Sequence, residues 1–346
     1  MDEEALAARV KVLAREAGFD LVGIAGADPP RELGFLAEWV ARGHAGEMAY
    51  LTRQVAKRSD VRAAFPWARS LVCVGLQYDT SHPYSIEASG ERGWISRYAW
   101  GDDYHEVMEG MLEGLLGRLR EEAGPFEARA YVDTGPIVER AWAAAAGLGA
   151  WGKNTCLLHP EHGSWFFLGE IVTALDLPAD APLAPDMCGS CTACLEACPT
   201  GALPAPYVLD ATRCISYLTI EIKGAIPEER REGLGRHVFG CDICQDVCPW
   251  NRRRRRRGEA VFEPRPGAFA PDLAELASLD EAGFRERFRR SPVKRAKRRG
   301  LLRSVAVALG NAGDPAGRPA LERLRADEDP VVRAHAEWAL RRLAPA

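Results

Sequence analysis

The sequence lacks any long apolar run. No stretch approaches the 18 or more apolar residues of a membrane-spanning helix, and the first ten residues are acidic and helical where a secretory signal would be basic and then apolar. The hydrophobic share of 47% is ordinary for globular proteins, which excludes disorder, collagen and coiled coil as global descriptions. The 346 residues therefore predict two or three domains, in a cytoplasmic protein without a membrane partner.

Cysteine is the most informative residue type in this chain. In a reducing cytoplasm the ten cysteines are not expected to form disulfides. Cys73 lies in an apolar run and Cys156 follows Gly-Lys-Asn-Thr, so we interpret both as small buried hydrophobic residues. The other eight all fall within residues 188–248, and this clustering predicts metal chemistry there.

The clustered cysteines follow the pattern of bacterial ferredoxins. Cys188 to Pro199 spells C-x₂-C-x₂-C-x₃-C-P, in which the first three thiolates hold one [4Fe–4S] cluster and the fourth binds the other. The second run, Cys241 to Pro249, lacks its first cysteine, and Cys214 is the cysteine left to replace it. We therefore predict one cluster on Cys188, Cys191, Cys194 and Cys248, and the other on Cys198, Cys214, Cys241 and Cys244.

Zinc bound in Cys₄ sites is the alternative interpretation of paired C-x₂-C motifs. Zinc would not need the third cysteine of each run or the Cys-Pro ends. Two clusters held close together by crossed ligands would form a path for electrons. Such a path implies an electron acceptor elsewhere in the chain.

Strand and helix patterns alternate along the first half of the chain. Apolar periodicity predicts helices at 3–17, 103–122 and 137–146, and strands at 21–25, 70–78, 128–132 and 165–175. This alternation indicates an α/β domain over 1–183, with a proline-rich boundary at 177–186. A two-cluster ferredoxin-like domain is then expected over 184–251.

The last third of the chain is rich in arginine. Residues 252–303 contain 17 basic and 7 acidic side chains, a local charge of +10 within a chain of net −4. Such a region can neutralise phosphates, although the six arginines at 252–257 are equally typical of a solvated linker. We predict a basic helical linker over 252–299 and an α-helical HEAT-like repeat over 300–346, because Arg303-x-x-Ala306 is echoed by Arg333-x-x-Ala336.

Three motif matches are rejected because the surrounding residues do not fit them. Gly147 to Gly152 matches the dinucleotide fingerprint, but it follows a predicted helix rather than a strand. The same glycines with Lys153 resemble a P-loop, yet Asn154 lacks the hydroxyl that binds Mg²⁺. Asp103-Tyr-His105 begins like the D-x-H-x-x-G corrinoid signature, but Met108 stands where glycine is required, so cobalt ligation by this histidine is not indicated.

Several motifs, in order along nearly the whole chain, resemble those of the epoxyqueuosine reductase family. They are the ferredoxin run with its displaced Cys214, Tyr131-Val-Asp133-Thr-Gly-Pro, Gly149-x-x-Gly152-Lys153-Asn154-Thr155, Gly163 to Glu170, and Ser291-Pro-Val-Lys-Arg295. The resemblance implies an α/β cobalamin-binding domain like that of reductive dehalogenases and two [4Fe–4S] clusters. It implies reduction of an epoxide to an alkene on epoxyqueuosine, at the wobble position of tRNA.

This reaction needs two electrons and a proton, because the oxygen leaves readily only when protonated. Cob(I)alamin, regenerated through the clusters, would perform the difficult step. By similarity Asp133 supplies the proton, and burial over the corrin would raise its pKa; a turn or helix-cap role is the alternative. Tyr104 and His105 are candidates for orienting the substrate.

The resemblance also suggests contacts for the cofactor and the RNA. Besides Asp133, the expected cobalamin residues are Arg58, Arg97, Arg140, Lys153, Asn154, Ser164, Ser216 and Thr219. The arginines of this set could instead form ion pairs or remain solvated. The expected tRNA contacts are Lys294, Arg295, Lys297, Arg298, Arg299 and Arg303, with the modified base flipped into the corrin pocket.

Two other functions share part of this pattern. A small-molecule corrinoid reductive dehalogenase would lack the cationic region and usually carries an export signal. A non-catalytic iron–sulfur electron carrier or RNA-binding protein would hold no corrinoid. The leading prediction is a monomeric tRNA-modifying oxidoreductase that receives electrons from an external low-potential donor.

Overall fold

A computed structural model describes residues 2–87, 92–253 and 258–343. Within these residues no helix is long and apolar enough to cross a membrane. Of the six-arginine run, only Arg252 and Arg253 are described. The interpretation of residues 254–257 as a solvated linker therefore lies outside the described residues.

The described chain combines short strands with many helices. The strands are β1 (Leu21–Gly26), β2 (Ser70–Gln77), β3 (Trp94–Ile95), β4 (Ala128–Tyr131), β5 (Ala150–Trp151), β6 (Leu157–Leu158), β7 (Phe166–Thr173) and β8 (His237–Phe239). The α-helices are α1 (Glu3–Glu16), α2 (Phe35–Ala41), α3 (Ala49–Thr52), α4 (Val55–Ser59), α5 (Tyr104–Ala123), α6 (Glu139–Ala145), α7 (Ala193–Ala197), α8 (Ile215–Ile220), α9 (Glu228–Arg231), α10 (Ile243–Asp246), α11 (Pro249–Arg252), α12 (Leu273–Ala277), α13 (Glu281–Arg287), α14 (Lys297–Ala312), α15 (Arg318–Arg325) and α16 (Pro330–Arg342).

The N-terminal half is built on a four-stranded sheet in the order β1-β2-β7-β4. Every residue of the two central strands, β2 and β7, is buried. Helices α1 and α5 cover one face of the sheet, and α6 covers the other. The predicted strands and helices of this half are confirmed to within one or two residues at most ends.

All strand pairs in this sheet are antiparallel. The alternation of strands and helices predicts an α/β fold, a class whose sheets are mostly parallel, so the structure corrects that part of the prediction. Strand direction depends on which strands become neighbours, and β7 inserts between β2 and β4 from far along the chain. Helices on both faces make β2 and β7 continuous apolar runs, a pattern more typical of parallel strands.

The end of β4 places a charged loop at the edge of the sheet. β4 ends at Tyr131, and Asp133 follows in the left-handed region with φ 58°. A β-carbon on Gly135 would lie 2.6 Å from the Tyr131 ring, so the loop can pack this closely only with glycine there. Helix α6 then begins at Glu139, and α5 begins nearby with Asp103 as its N-cap.

A second core lies under the cysteine-rich segment. Strand β3 pairs with β8 in parallel, so the Trp94 region packs with the C-terminal half and not with the sheet. Helices α14, α15 and α16 pack against one another and against α8 and β8. The segment after residue 251 is thus joined to the cysteine-rich segment by a continuous apolar core.

Candidate active site and iron–sulfur centres

Asp133 opens towards solvent at the edge of the sheet. Its side chain is 53% exposed. Its backbone N–H donates a short hydrogen bond to Oε1 of Glu139, which holds the loop against the start of α6. His105, in the first turn of α5, lies beside it with Nε2 3.5 Å from Oδ2 of Asp133. The site is therefore assembled from the loop that follows β4 and the first turn of α5.

His105 links Asp133 to a second, buried carboxylate. Nδ1 of His105 lies 2.7 Å from Oδ1 of Asp103, whose side chain is 2% exposed. Nζ of Lys294 lies 2.7 Å from the other oxygen of Asp103. The result is a chain of alternating charges, Lys294–Asp103–His105–Asp133. Sequence reasoning missed Asp103, although its D-x-H spacing put it next to a candidate residue.

The alternating charges of Lys294, Asp103, His105 and Asp133 set the protonation states of His105 and Asp133. Burial alone would lower the pKa of His105, but its hydrogen bonds to the carboxylates of Asp103 and Asp133, together with their negative charges, raise that pKa to about 9. His105 in turn lowers the pKa of Asp133, against the effect of burial. The raised pKa predicted for Asp133 applies to its burial over a bound corrin and stays a prediction. At neutral pH the proton therefore lies on the imidazole, next to an ionised Asp133.

Aromatic stacking fixes the position of His105. The Tyr104 ring stacks on Phe167 of β7, with centroids 4.2 Å apart and planes inclined by 4°. The His105 ring lies 4.0 Å from Tyr104. Because Tyr104 is packed between the imidazole and Phe167 of the sheet, the imidazole is oriented before any substrate arrives.

Four of the clustered cysteines surround one cavity. Cys188, Cys191, Cys194 and Cys248 line a cavity of about 220 Å³, together with Lys153 and Trp250. Helix α7 carries Cys194, and Cys248 directly precedes α11. The structure thus brings together the same four cysteines that the ferredoxin spacing groups.

The other four cysteines form a second, more deeply buried group. Burial raises the pKa of Cys241, and the nearby Cys214 and Cys198 raise it further. Cys244 lies close to both Cys241 and Cys214. Cys214, at the N-terminus of α8, is the displaced ligand that the sequence places in this group.

Cys156 is not the inert residue that its sequence context suggests. Cys73 is fully buried in the core beside α6, as predicted. Cys156 is only half-buried, and its thiol contacts Cys244, a member of the second cysteine group. That contact lowers the pKa of Cys156 to about 7. The interpretation of Cys156 as a purely hydrophobic residue is therefore wrong.

The Gly152–Thr155 turn lies between the two cysteine groups. The backbone N–H of Lys153 donates to Sγ of Cys188 at 3.4 Å, and its Nζ donates to the carbonyls of Gly189 at 2.6 Å and Cys191 at 3.0 Å. The side-chain amide of Asn154 donates to the carbonyl of Cys244 at 3.2 Å. Both side chains were expected to bind cobalamin, but here they support the cysteine loops.

Other residues of the expected cobalamin set form hydrogen bonds inside the protein. Arg97 is 1% exposed, and its guanidinium donates to Thr80, His82 and Pro83. Thr219 is fully buried and donates to the carbonyl of Ile215. Each of these side chains is engaged with the protein itself. Contact of these two side chains with cobalamin therefore stays a prediction.

The remaining members of the set differ in accessibility. Ser164 is buried, and its hydroxyl accepts from Asn251. Arg58 is buried and donates to the carbonyl of Ile137, behind the Asp133 loop. Arg140 is exposed, and Ser216 is half-buried at the start of α8. With Asp133, the accessible members are therefore Arg140 and Ser216.

Ion pairs neutralise much of the basic region. Lys294 pairs with Asp103, Arg295 with Glu221, Arg298 with Asp327 and Arg299 with Asp329. Arg303 is 1% exposed and donates to backbone carbonyls of residues 218–224, so its side chain is not on an RNA-binding surface. Lys297 is exposed and has no carboxylate partner among the residues described.

The comparisons with known proteins agree with this geometry. Residues 187–251 match the family model for a 4Fe-4S double cluster binding domain, which defines the chain as an iron–sulfur protein with a double-cluster domain. Residues 58–134 match the model described as Epoxyqueuosine reductase QueG, DUF1730. The epoxyqueuosine reductase of Xanthomonas campestris is 44% identical over 338 residues, covering 96% of this chain and 95% of that protein. The chain belongs to the epoxyqueuosine reductase family of oxidoreductases.

Solved structures of the same family share the fold. An epoxyqueuosine reductase bound to an epoxyqueuosine-modified stem loop of tRNA-Tyr superposes with a TM-score of 0.89 at 33% identity, covering 98% of this chain and 90% of that one. The Bacillus subtilis epoxyqueuosine reductase, with its aspartate catalytic loop swung out of the active site, gives 0.87 at 31% identity, covering 99% and 91%.

Proposed function

We propose that this chain reduces epoxyqueuosine to queuosine at the wobble position of tRNA, using cobalamin and two [4Fe–4S] clusters. One observation carries the proposal: the open carboxylate of Asp133 is paired with a protonated His105 in a protein of this family. Two solved relatives support the same assignment. One is bound to an epoxyqueuosine-modified tRNA stem loop, and the other is the Bacillus subtilis structure whose aspartate catalytic loop is swung out of the active site.

The two cysteine groups fit two four-iron clusters. Four thiolates around one cavity and four in a buried group are the ligand number that two [4Fe–4S] clusters need. The Lys153 N–H that donates to Sγ of Cys188 would stabilise the reduced, more negative cluster. Electrons from an external low-potential donor would enter through these clusters.

The site also fits a large polar cofactor. Arg140 donates from Nη1 to the carbonyl of Thr155, which leaves its other N–H groups for the amide oxygens of a corrin side chain. Ser216, beside the cluster ligand Cys214, offers a further hydroxyl. Bound cobalamin would supply a strongly reducing cobalt centre for opening the epoxide.

Side chains of the protein supply the proton for the reaction. The imidazolium of His105 lies next to the ionised Asp133, so its proton can pass to that carboxylate, and Asp133 would then donate this proton to the leaving oxygen. Asp103, held ionised by His105 and Lys294, keeps the ring oriented and positively charged. Lys294 therefore belongs to the proton-supplying chain as well as to the basic region.

The basic segment borders a cavity of about 450 Å³ that is lined by Arg295, Lys297, Arg299 and Tyr50. Clustered cations beside an aromatic ring suit a phosphate backbone and an unstacked base. We assign the tRNA contact to this surface, on a monomer. Helices α14 and α16 would form one HEAT-like unit within residues 300–346, following domains at 1–183, 184–251 and 252–299.

An Asp133→Asn variant tests the proposal. We expect about eight iron atoms per chain and unchanged corrinoid binding, together with loss of epoxyqueuosine conversion. Asp176→Asn, which removes an exposed carboxylate in an ion pair with Arg69 far from the site, is the matched control. Full turnover by Asp133→Asn under a low-potential reductant would contradict the assignment of the acid.

A further inference from the structure

A buried carboxyl group lies below the Asp133 loop. Glu170 is on the central strand β7, in register with Cys73 on one side and Tyr131 on the other. Glu170 is 0% exposed, and neither of its carboxyl oxygens accepts a hydrogen bond from an N–H or hydroxyl group among the residues described. The alternation along β7 turns this side chain towards the α6 face of the sheet, between Leu168 and Val172.

Glu170 cannot remain ionised alone in this position. An ionised carboxylate without hydrogen bonds in an apolar core is among the most costly groups that a protein can bury. The carboxyl group of Glu139, at the start of α6, lies close enough to hydrogen-bond to it. Two adjoining carboxyl groups resolve their repulsion by keeping one proton between them.

Glu139 connects this pair to the active site. Its Oε1 accepts the backbone N–H of Asp133 and so holds the loop that carries the proposed acid. We propose that Glu139 and Glu170 share one proton as a buried carboxyl pair, which positions the Asp133 loop and limits the negative charge beneath it. This role rests on the proposed function of Asp133.

The charges around the pair favour a retained proton. Asp133 adds negative charge from the loop, and Cys73 and Tyr131 flank Glu170 on the sheet without neutralising it. Arg140 and Arg58 lie near the Glu139 end of the pair and partly offset its charge. Burial and mutual repulsion raise the pKa of both carboxyl groups. With both ionised, three carboxylates would stand together, and the loop would be driven outward.

Infrared spectroscopy of the resting protein tests the shared proton without turnover. We expect the wild-type protein at pH 7 to show the carbonyl band of a protonated carboxylic acid. Glu170→Gln should remove that band from the difference spectrum, because the new amide lets Glu139 ionise. The exposed Glu113→Gln on α5 is the matched control and should leave it unchanged. A wild-type band that survives in both Glu139→Gln and Glu170→Gln would overturn the proposal.

Hydrogen exchange tests the hold on the loop. Glu139→Ala should speed amide exchange of residues 131–138 by about tenfold, because the Asp133 N–H loses a carboxylate acceptor. Glu139→Gln keeps an acceptor oxygen and should exchange at the wild-type rate. Equal protection in the alanine and glutamine variants would overturn the positioning role.

Kinetic measurements test whether the Glu139–Glu170 pair affects catalysis through the position of the Asp133 loop. Glu170→Gln should lower kcat by about 10–100-fold with little change in the KM for tRNA, since the pair lies away from the RNA surface. It should also shift the pH profile of kcat. An unchanged kcat and pH profile would overturn the link to catalysis, while the infrared and exchange results can fail even if epoxyqueuosine is reduced as proposed.

Discussion

Replacing Asp103 with asparagine removes one charge from the proton-supplying chain and little else. Asp103 is the N-cap of α5, where its side chain accepts the backbone N–H of His105. Asparagine caps a helix about as well as aspartate does. The substitution therefore keeps the helix start while it removes the negative charge 2.7 Å from Nδ1 of His105.

The size of the effect follows from the pKa of His105. That pKa is raised from 6.5 to about 9 by Asp103 and Asp133 together. Asp133 is 53% exposed and screened by water, so the buried Asp103 contributes the larger part. We expect Asp103→Asn to lower the pKa of His105 by roughly 1.5–2 units, which corresponds to about 2–3 kcal/mol.

The pH dependence follows from the sign of this shift. Because the folded-state pKa of His105 is raised, its contribution to stability is complete below pH 6.5 and is lost as the pH rises through about 9. In the Asp103→Asn variant the stabilising contribution of His105 should begin to be lost near neutral pH. At pH 8 the imidazolium population, and turnover with it, should fall about 4- to 10-fold, while turnover at pH 6 changes little.

Two measurements check this prediction. NMR titration of the His105 ring gives its pKa directly, and the pH profile of single-turnover conversion gives its effect on the reaction. Glu106→Gln on the same helix turn changes a more exposed carboxylate and is the matched control. An unchanged His105 pKa in Asp103→Asn would refute the reasoning, as would a basic limb of the pH profile that does not move.

Four further substitutions separate roles that the sequence alone joins together. Arg97→Met should lower the free energy of unfolding by about 3–5 kcal/mol in denaturant titrations, because it breaks a buried charged network, with no selective loss of corrinoid affinity. Cys214→Ala should remove one cluster, leaving about four iron atoms per chain in anaerobic preparations. Lys297→Glu should weaken tRNA binding and flatten its salt dependence, whereas Arg303→Met should destabilise the fold without altering the salt slope.

The sequence predicts best where spacing along the chain carries the chemistry. The cysteines fall into two groups of four in the structure, as the ferredoxin spacing indicates. The central strands β2 and β7, next to which β4 places Asp133, are predicted because they are long apolar runs. Both signals are local, so they can be read without knowing which segments meet in space.

The sequence predicts poorly where distant residues meet. The +10 of residues 252–303 suggests a strong cationic surface, but much of that charge is paired with carboxylates from elsewhere, as when Lys294 contacts Asp103. The family resemblance suggests that Arg97 contacts cobalamin. In the structure Arg97 lies among buried aromatic rings. Burial and ion pairing depend on tertiary contacts that no motif records, so the sequence alone does not show that Arg97 and Arg303 are buried or that Lys294 is paired.

The most direct test of the account is the cobalamin dependence of the reaction. The anaerobically reconstituted protein is given epoxyqueuosine-containing tRNA and a low-potential reductant, and the digested nucleosides are measured by mass spectrometry. We predict conversion to queuosine when both clusters and cobalamin are present, and none when cobalamin is omitted. Equal conversion without cobalamin would contradict the central claim.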